Sequence, residues 1–116
     1  MNQRVKKLLL AILTMAVLLS YGIFYYNSVD GDYYTVDEMY GFPVPKKAQL
    51  EVEGDYSKHY TWSKAGGDNG IPLSYKLVIR KKGWKKGNMD GTVITYTKED
   101  KVIYLSTSTR YLEIFK

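Results

Sequence analysis

Six basic residues with no acid among them lie close together in the second half of the chain. They fall within eleven residues and are Lys76, Arg80, Lys81, Lys82, Lys85 and Lys86. Uncompensated positive charges raise the local electrostatic potential and attract polyanions. We therefore expect a site for anionic lipid headgroups or cell-envelope polymers, with a solvated helix end as the alternative. Nucleic acid is not predicted as a partner, because the cluster contains no aromatic stacking motif and an exported domain rarely meets nucleic acid.

Groups that catalyse reactions or bind soft metals are scarce in this sequence. The chain has no cysteine and one histidine, His59, which excludes a disulfide, a thiolate metal site, a cysteine nucleophile and a multi-histidine metal site. His59 is predicted to lie on the surface or at a sheet edge. Asp68 and Asp90 could form a pair of catalytic carboxylates, but acids in turns commonly bond the backbone instead. We predict a protein that is not an enzyme and needs no cofactor.

Four acids in the first half of the chain could offer oxygen ligands to calcium, namely Asp30, Asp32, Asp37 and Glu38. Ca²⁺ takes six to eight oxygen ligands. The spacing of these acids does not match an EF-hand loop, because no Gly stands at the sixth position after an Asp or Asn at the fifth. We therefore expect a solvated acidic segment without a metal.

A hydrophobic segment near the N-terminus is the strongest pattern in the sequence. Residues 8–26 contain no charge, and about twenty helical residues cross the ~30 Å hydrocarbon core of a membrane. Residues 1–7 carry three bases and no acid, so the positive-inside rule predicts a cytoplasmic N-terminus and an extracytoplasmic remainder. The pattern indicates a single-pass signal anchor in the cell membrane.

Cleavage of this segment is the alternative, because a secretory signal has the same charged start and apolar middle. The best small-residue pair for a cleavage site is Ser20 and Gly22, which matches the A-x-A pattern poorly. We therefore predict an uncleaved anchor, and a secreted protein as the second possibility.

The remaining chain divides by composition into a tether and one small domain. Residues 27–42 are acidic and rich in tyrosine and are predicted to be a tether that partly docks. Pro43 and Pro45 force extended geometry and mark the expected start of the domain at 43–116. Residues 27–55 contain seven acids and two bases, a net charge of −5, whereas residues 56–116 contain twelve bases and five acids, a net charge of +7. The acidic part could therefore lie against the basic part.

The domain is predicted to be α+β, with one helix packed on one face of a small antiparallel sheet in the order β-(β)-α-β-β-β. A helix is expected over 71–84, because Ile71, Tyr75, Val78 and Ile79 form an apolar stripe and Gly83 suits a left-handed C-cap. Leu73 and Leu77 form a second, narrower pair that indicates contact with another surface. Trp62 and Trp84 are expected to anchor the core or its rim.

Strands are expected on both sides of this helix, where β-favouring residues alternate in polarity. The early ones are Ala48–Glu53, with Leu50 and Val52 on one face, and His59–Trp62. The later ones are Thr92–Lys98, Val102–Ser106 and Tyr111–Phe115, which are expected to form a meander that receives the helix stripe. The run 106–109 is predicted to be the polar turn before the last strand.

The chain resembles small, mostly uncharacterised exported modules of Gram-positive bacteria in three short motifs. They are the run Pro43-Val44-Pro45-Lys46-Lys47-Ala48, the helix that ends in Gly83-Trp84 and the T-V-I-T-Y strand. In such modules a Pro-x-x-Ala motif precedes a helix that ends in Gly-Trp, and many are lipoproteins. The chain departs from them by lacking a lipidated cysteine. The resemblance implies a cell-envelope location and no activity. The predicted topology, the small size and the lack of catalytic groups favour a non-catalytic module that binds a protein or envelope polymer, with a charge-driven polyanion-binding factor as the alternative and a carboxylate hydrolase less favoured.

Overall fold

The structure, a computed structural model, describes residues 2–66 and 70–116 of the chain. These residues form an α+β fold in which a long N-terminal helix precedes the strands and a second, short helix. The helices are α1 (Gln3–Ser28) and α2 (Leu73–Lys81). The strands are β1 (Tyr33–Val36), β2 (Phe42–Pro45), β3 (Gln49–Glu53), β4 (Ser57–Thr61), β5 (Lys85–Asp90), β6 (Val93–Lys98), β7 (Lys101–Ser108) and β8 (Tyr111–Phe115).

The strands of the described residues form an antiparallel sheet and a separate hairpin. The order in the sheet is β3-β4-β8-β7-β6-β5, and β1 pairs with β2 in the hairpin. The predicted meander is confirmed as β6-β7-β8. A two-residue turn joins β6 to β7, and Glu99 in this turn adopts a φ of 58°, as a tight hairpin connection requires.

Every second side chain along the strands of the sheet points into a hydrophobic core, so one face of the sheet is buried. The buried side chains on this face are Tyr60, Ile94, Tyr96, Ile103, Leu105, Leu112 and Ile114. Successive strand residues point to opposite faces, so the residues between them line the uncovered face. The six of these residues that belong to β6, β7 and β8 therefore lie on one side of the meander.

Helix α2 covers this face with the predicted stripe, since Ile71, Tyr75, Val78 and Ile79 are all buried. The helix runs from Leu73 to Lys81, within the predicted range 71–84. At its C-terminus, Gly83 has a φ of 93°. The Gly83 N–H donates to the Arg80 carbonyl at 3.0 Å, and the Trp84 N–H donates to the Ile79 carbonyl at 3.3 Å. This pair of bonds is a Schellman motif, which confirms the predicted glycine cap.

Tyr75 joins α2 to three other parts of the core. Its hydroxyl donates to the carbonyl of Pro43 at 2.7 Å, its ring stacks on Tyr33 at 5.2 Å, and Trp62 meets it edge-on at 5.6 Å. Burial raises the pKa of Tyr75 well above its usual value, so the hydroxyl stays protonated and keeps donating. Trp62 and Trp84 are 5% and 2% exposed, and both are therefore core anchors as predicted.

The hairpin β1-β2 corrects the predicted domain boundary at residue 43. Val29, Tyr33, Met39 and Phe42 lie before that boundary and are all buried, and Phe42 packs on Trp84 and Tyr96. The folded unit therefore begins near Val29. The sequence did not indicate this start. The segment is rich in acids and tyrosines and has no sustained helical or strand period.

Three further expectations about strands were wrong. Strand β5 was missed, because its sequence, Lys-Lys-Gly-Asn-Met-Asp, has low strand propensity and all six residues are exposed. The turn predicted at 106–109 lies later, since β7 extends to Ser108. A register shift in β3 pairs Leu50 with Tyr60 and Val52 with His59. Neighbouring residues of β4 face opposite ways, so this bulge places Leu50 and Val52 on different faces.

Helix α1 stands outside the folded unit. None of its residues is buried, and Asn2 caps its N-terminus by accepting from the backbone of Arg4 at 2.6 Å. The helix is long and apolar enough to cross a membrane. A core helix would be buried, whereas a signal sequence would meet the same criterion of length and composition.

Candidate functional site

The six predicted basic residues follow one another from α2 into β5, but they differ in exposure. Lys76 and Arg80 lie on the exposed side of α2, whereas Lys81 and Lys82 are half-buried at its end. Lys85 and Lys86 are exposed on β5, the edge strand of the sheet. Of the six, Arg80 and Lys81 lie in the last turn of α2, where basic side chains complement the helix dipole.

Lys81 already makes contacts with the end of α1 and the start of the folded unit. Its Nζ lies 3.0 Å from Asp30 Oδ2, donates to the backbone carbonyl of Tyr26 and lies 4.2 Å from the centroid of the Tyr26 ring. The prediction of a cluster without close acidic neighbours is therefore wrong at this position. The same contacts fix the end of α2 beside the last turn of α1, which the sequence did not reveal.

A cleft opens between α1 and α2 beside these contacts. It has a volume of about 410 Å³ and is lined by Tyr26, Leu77, Arg80 and Lys81. Two of the lining side chains are basic and two have apolar bodies. The cleft therefore suits a ligand that carries both an anionic group and hydrocarbon.

A second cavity lies on the other side of Lys81, between α2 and the hairpin. It has a volume of about 430 Å³, and its lining includes Lys46, Lys82, Asp30 and Tyr34. Lys46 was not among the predicted site residues, because it stands thirty residues before the basic cluster in the sequence. The fold brings it near Lys82, so positive charge extends beyond the predicted cluster.

Acids of residues 27–55 pair with bases of residues 56–116 at more than one place. Besides the pair of Asp30 and Lys81, Lys58 forms ion pairs with Glu38 and Glu53. Hydrogen bonding to Glu38 and Glu53 raises the pKa of Lys58, and the bond from Lys58 lowers the pKa of Glu38. The expectation that the acidic segment lies against the basic part is confirmed by these pairs.

Two of the four acids that were considered as calcium ligands pair with lysines instead. Asp30 meets Lys81 and Glu38 meets Lys58. Within residues 2–66 and 70–116, no group of three or more His, Asp or Glu side chains is close enough to hold a metal ion. The four acids thus act in part as internal ion-pair partners.

Asp90 and His59 lie on different strands of the sheet, β5 and β4. Asp68 lies outside the described residues, so its pairing with Asp90 stays the less favoured alternative of the sequence analysis; Asp90 is exposed on β5. His59 lies on the uncovered face of the sheet, with Nε2 at 3.4 Å from Glu113 Oε1. About half of each side chain is in solvent, and the expected surface position of His59 is confirmed.

The chain matches no known protein family, no characterised protein and no solved structure. The resemblance to exported modules of Gram-positive bacteria therefore stays a prediction.

Proposed function

We propose that this protein is a non-catalytic binding module held at the outer surface of a cell membrane by α1. In this proposal, residues 1–7 stay in the cytoplasm, residues 8–26 cross the bilayer, and the unit that begins near Val29 faces outward. The observation that carries the proposal is the contrast between α1, which has no buried residue, and the core that starts directly after it. A helix so apolar and so exposed needs lipid around it.

The length of the apolar segment supports this assignment. Nineteen residues at 1.5 Å per residue extend for about 28 Å, close to the ~30 Å hydrocarbon core. Tyr25 and Tyr26 then lie at the outer boundary, where aromatic side chains of membrane proteins concentrate. The same count places the folded unit directly against the headgroup layer.

Fractionation of cells that produce the full chain tests the anchor. An uncleaved anchor keeps the intact mass and resists extraction from membranes at alkaline pH. Protease added to intact cells whose wall has been removed should digest the folded unit and spare the first residues. A mature chain that begins near Ile23 would refute the anchor and favour the secreted alternative.

The accessible bases favour a second candidate, a charge-driven factor that binds polyanions of the membrane surface or cell envelope. Lys76, Arg80, Lys85 and Lys86 are exposed, and positive charges near an anionic membrane contribute about 1 kcal/mol each. Sedimentation of the full chain with an anionic envelope polymer should then weaken steeply with salt. Charge reversal at Lys85 and Lys86 should weaken this binding further. Binding that is unaffected by salt and by the charge reversal would reject this candidate.

A further inference from the structure

Helix α2 carries a second stripe, which borders its core-facing stripe and is exposed except at Leu77, which packs partly against the core. Leu73, Lys76, Leu77 and Arg80 stand at the spacing i, i+3, i+4 and i+7, which places them on one helix face. Leu73 is 75% exposed, Leu77 is partly buried, and Lys76 and Arg80 are exposed. The sequence predicted that Leu73 and Leu77 contact another surface. Within the described residues, no protein element provides that contact for Leu73.

The position of this stripe is set by the end of α1. Leu77 and Arg80 line the cleft together with Tyr26, and Lys81 contacts both the carbonyl and the ring of Tyr26. Tyr26 is the last residue of the apolar segment, about 28 Å of helix from its first residue. If α1 crosses the bilayer, the outer stripe of α2 starts at the boundary between hydrocarbon and headgroups.

The composition of the stripe fits that boundary. Apolar side chains flanked by Lys and Arg are the pattern of helices that lie in the membrane interface. The long stems of Lys76 and Arg80 can follow apolar surface while their charges reach phosphate groups. Anionic headgroups complement both charges, and Leu73 can enter the acyl boundary between them.

We propose that α2 lies on the bilayer that α1 spans, with Leu73 and Leu77 towards the acyl chains and Lys76 and Arg80 on the phosphates of anionic phospholipids. This inference rests on the proposed anchor. It makes the lipid surface itself the first binding partner of the module. The cleft beside Tyr26 then receives a headgroup. The uncovered sheet face, on the other side of the sheet from α2, points away from this contact.

The cysteine-free chain allows a direct test by single-site labelling. We would replace Leu73 by cysteine in the full chain, attach an environment-sensitive fluorophore and reconstitute the protein in vesicles of phosphatidylcholine and phosphatidylglycerol. The label should emit at shorter wavelength than in water and be quenched by a nitroxide on the lipid headgroup. Tyr111→Cys is the matched control, because Tyr111 is 59% exposed on the sheet face that α2 does not cover.

Two outcomes would overturn the proposal while leaving the anchor intact. In the first, the vesicles float with the protein and the label at 73 is as water-exposed as the label at 111. In the second, the label at 73 is shielded but unaffected by the lipid nitroxide, and its shielding rises with protein density, which indicates a second copy. Protein that does not float with the vesicles overturns both the anchor and this inference.

A charge comparison tests the basic half of the stripe. Lys76→Glu with Arg80→Glu should reduce the quenching of the label at 73 in vesicles that contain phosphatidylglycerol. Lys101→Glu with Arg110→Glu changes the net charge by the same amount at two exposed positions outside the basic cluster, and should reduce it much less. Equal effects of the two pairs would show a general charge effect and contradict the assignment of Lys76 and Arg80.

Discussion

Lys81 and Asp30 form an ion pair between the last residue of α2 and the turn that follows α1, with 3.0 Å between Nζ and Oδ2. The pair spans 51 residues of sequence. The Lys81 side chain is 14% exposed and that of Asp30 is 39% exposed, so water screens the pair only in part. It therefore holds the end of α2 against the start of the folded unit, next to the last turn of α1.

Lys81→Gln should destabilise the folded unit, because it removes this ion pair and the contact to Tyr26. A partly buried bond between charged groups contributes about 1–2 kcal/mol. Denaturant unfolding of the full chain in a mild detergent measures the loss. Lys85→Gln is the control, since Lys85 is exposed, and an equal loss there would show that Lys81 acts through net charge alone.

The helix and the last three strands could be predicted from the sequence because their signals are local. The stripe of Tyr75, Val78 and Ile79 has a helical period, Gly83 ends it, and the meander alternates in polarity. The bases of the candidate site could be found for the same reason. Their burial could not, because the pairing of Lys81 with Asp30 depends on how distant segments pack.

The start of the folded unit could not be predicted, because β1 and β2 are held by tertiary contacts. Phe42 is buried against Trp84 and Tyr96, which lie more than forty residues later. Strand β5 carries no apolar alternation, since it is an exposed edge strand held by backbone pairing with β6. The conformation of such segments is determined by the neighbouring strands more than by their own strand propensity.

Glu38 should make the stability of the unit depend on pH in the acid range. The bond from Lys58 lowers the pKa of Glu38 in the folded state, so the folded state binds this proton less readily than the unfolded state. The stabilisation is therefore present above the ordinary glutamate pKa, about 4.3, and is lost as the pH falls through the folded pKa.

Unfolding midpoints measured across the acid range check this expectation. Glu38→Gln should flatten the acid side of the profile relative to the unchanged chain. Glu51→Gln is the matched control, since Glu51 is exposed and bonds Thr61 instead of Lys58. A profile that keeps its full acid slope in Glu38→Gln would contradict the assigned role of the ion pair with Lys58.

Gly83→Ala should destabilise the cap of α2. A side chain at a φ of 93° is strained, at a cost of about 1–2 kcal/mol, and an added Cβ would lie 3.2 Å from Lys98 Cε. Thermal unfolding measures the shift. Gly31→Ala is the control, because an added Cβ there meets nothing within 4 Å and no positive φ is required; it should be neutral or slightly stabilising.

Tyr75→Phe should cost about 1–2 kcal/mol, because it removes a buried hydrogen bond and leaves the Pro43 carbonyl without its donor. The ring contacts with Tyr33 and Trp62 would remain, so the fold should persist. Denaturant unfolding and the near-ultraviolet circular dichroism of the aromatic core separate the two effects. Tyr111→Phe, at an exposed position, should change neither, and equal losses in both variants would refute the role of the Pro43 bond.

Truncation distinguishes the observed start of the folded unit from the predicted one. A chain of residues 29–116 should stay folded and become soluble, because α1 contributes no buried residue. A chain of residues 43–116 loses the buried side chains of Val29, Tyr33, Met39 and Phe42. Burial of each contributes about 1.5–3 kcal/mol, and together they approach the whole net stability of a domain, about 5–15 kcal/mol. Amide dispersion in NMR spectra of the two chains checks this, and a well-dispersed spectrum from 43–116 would show that the hairpin is dispensable.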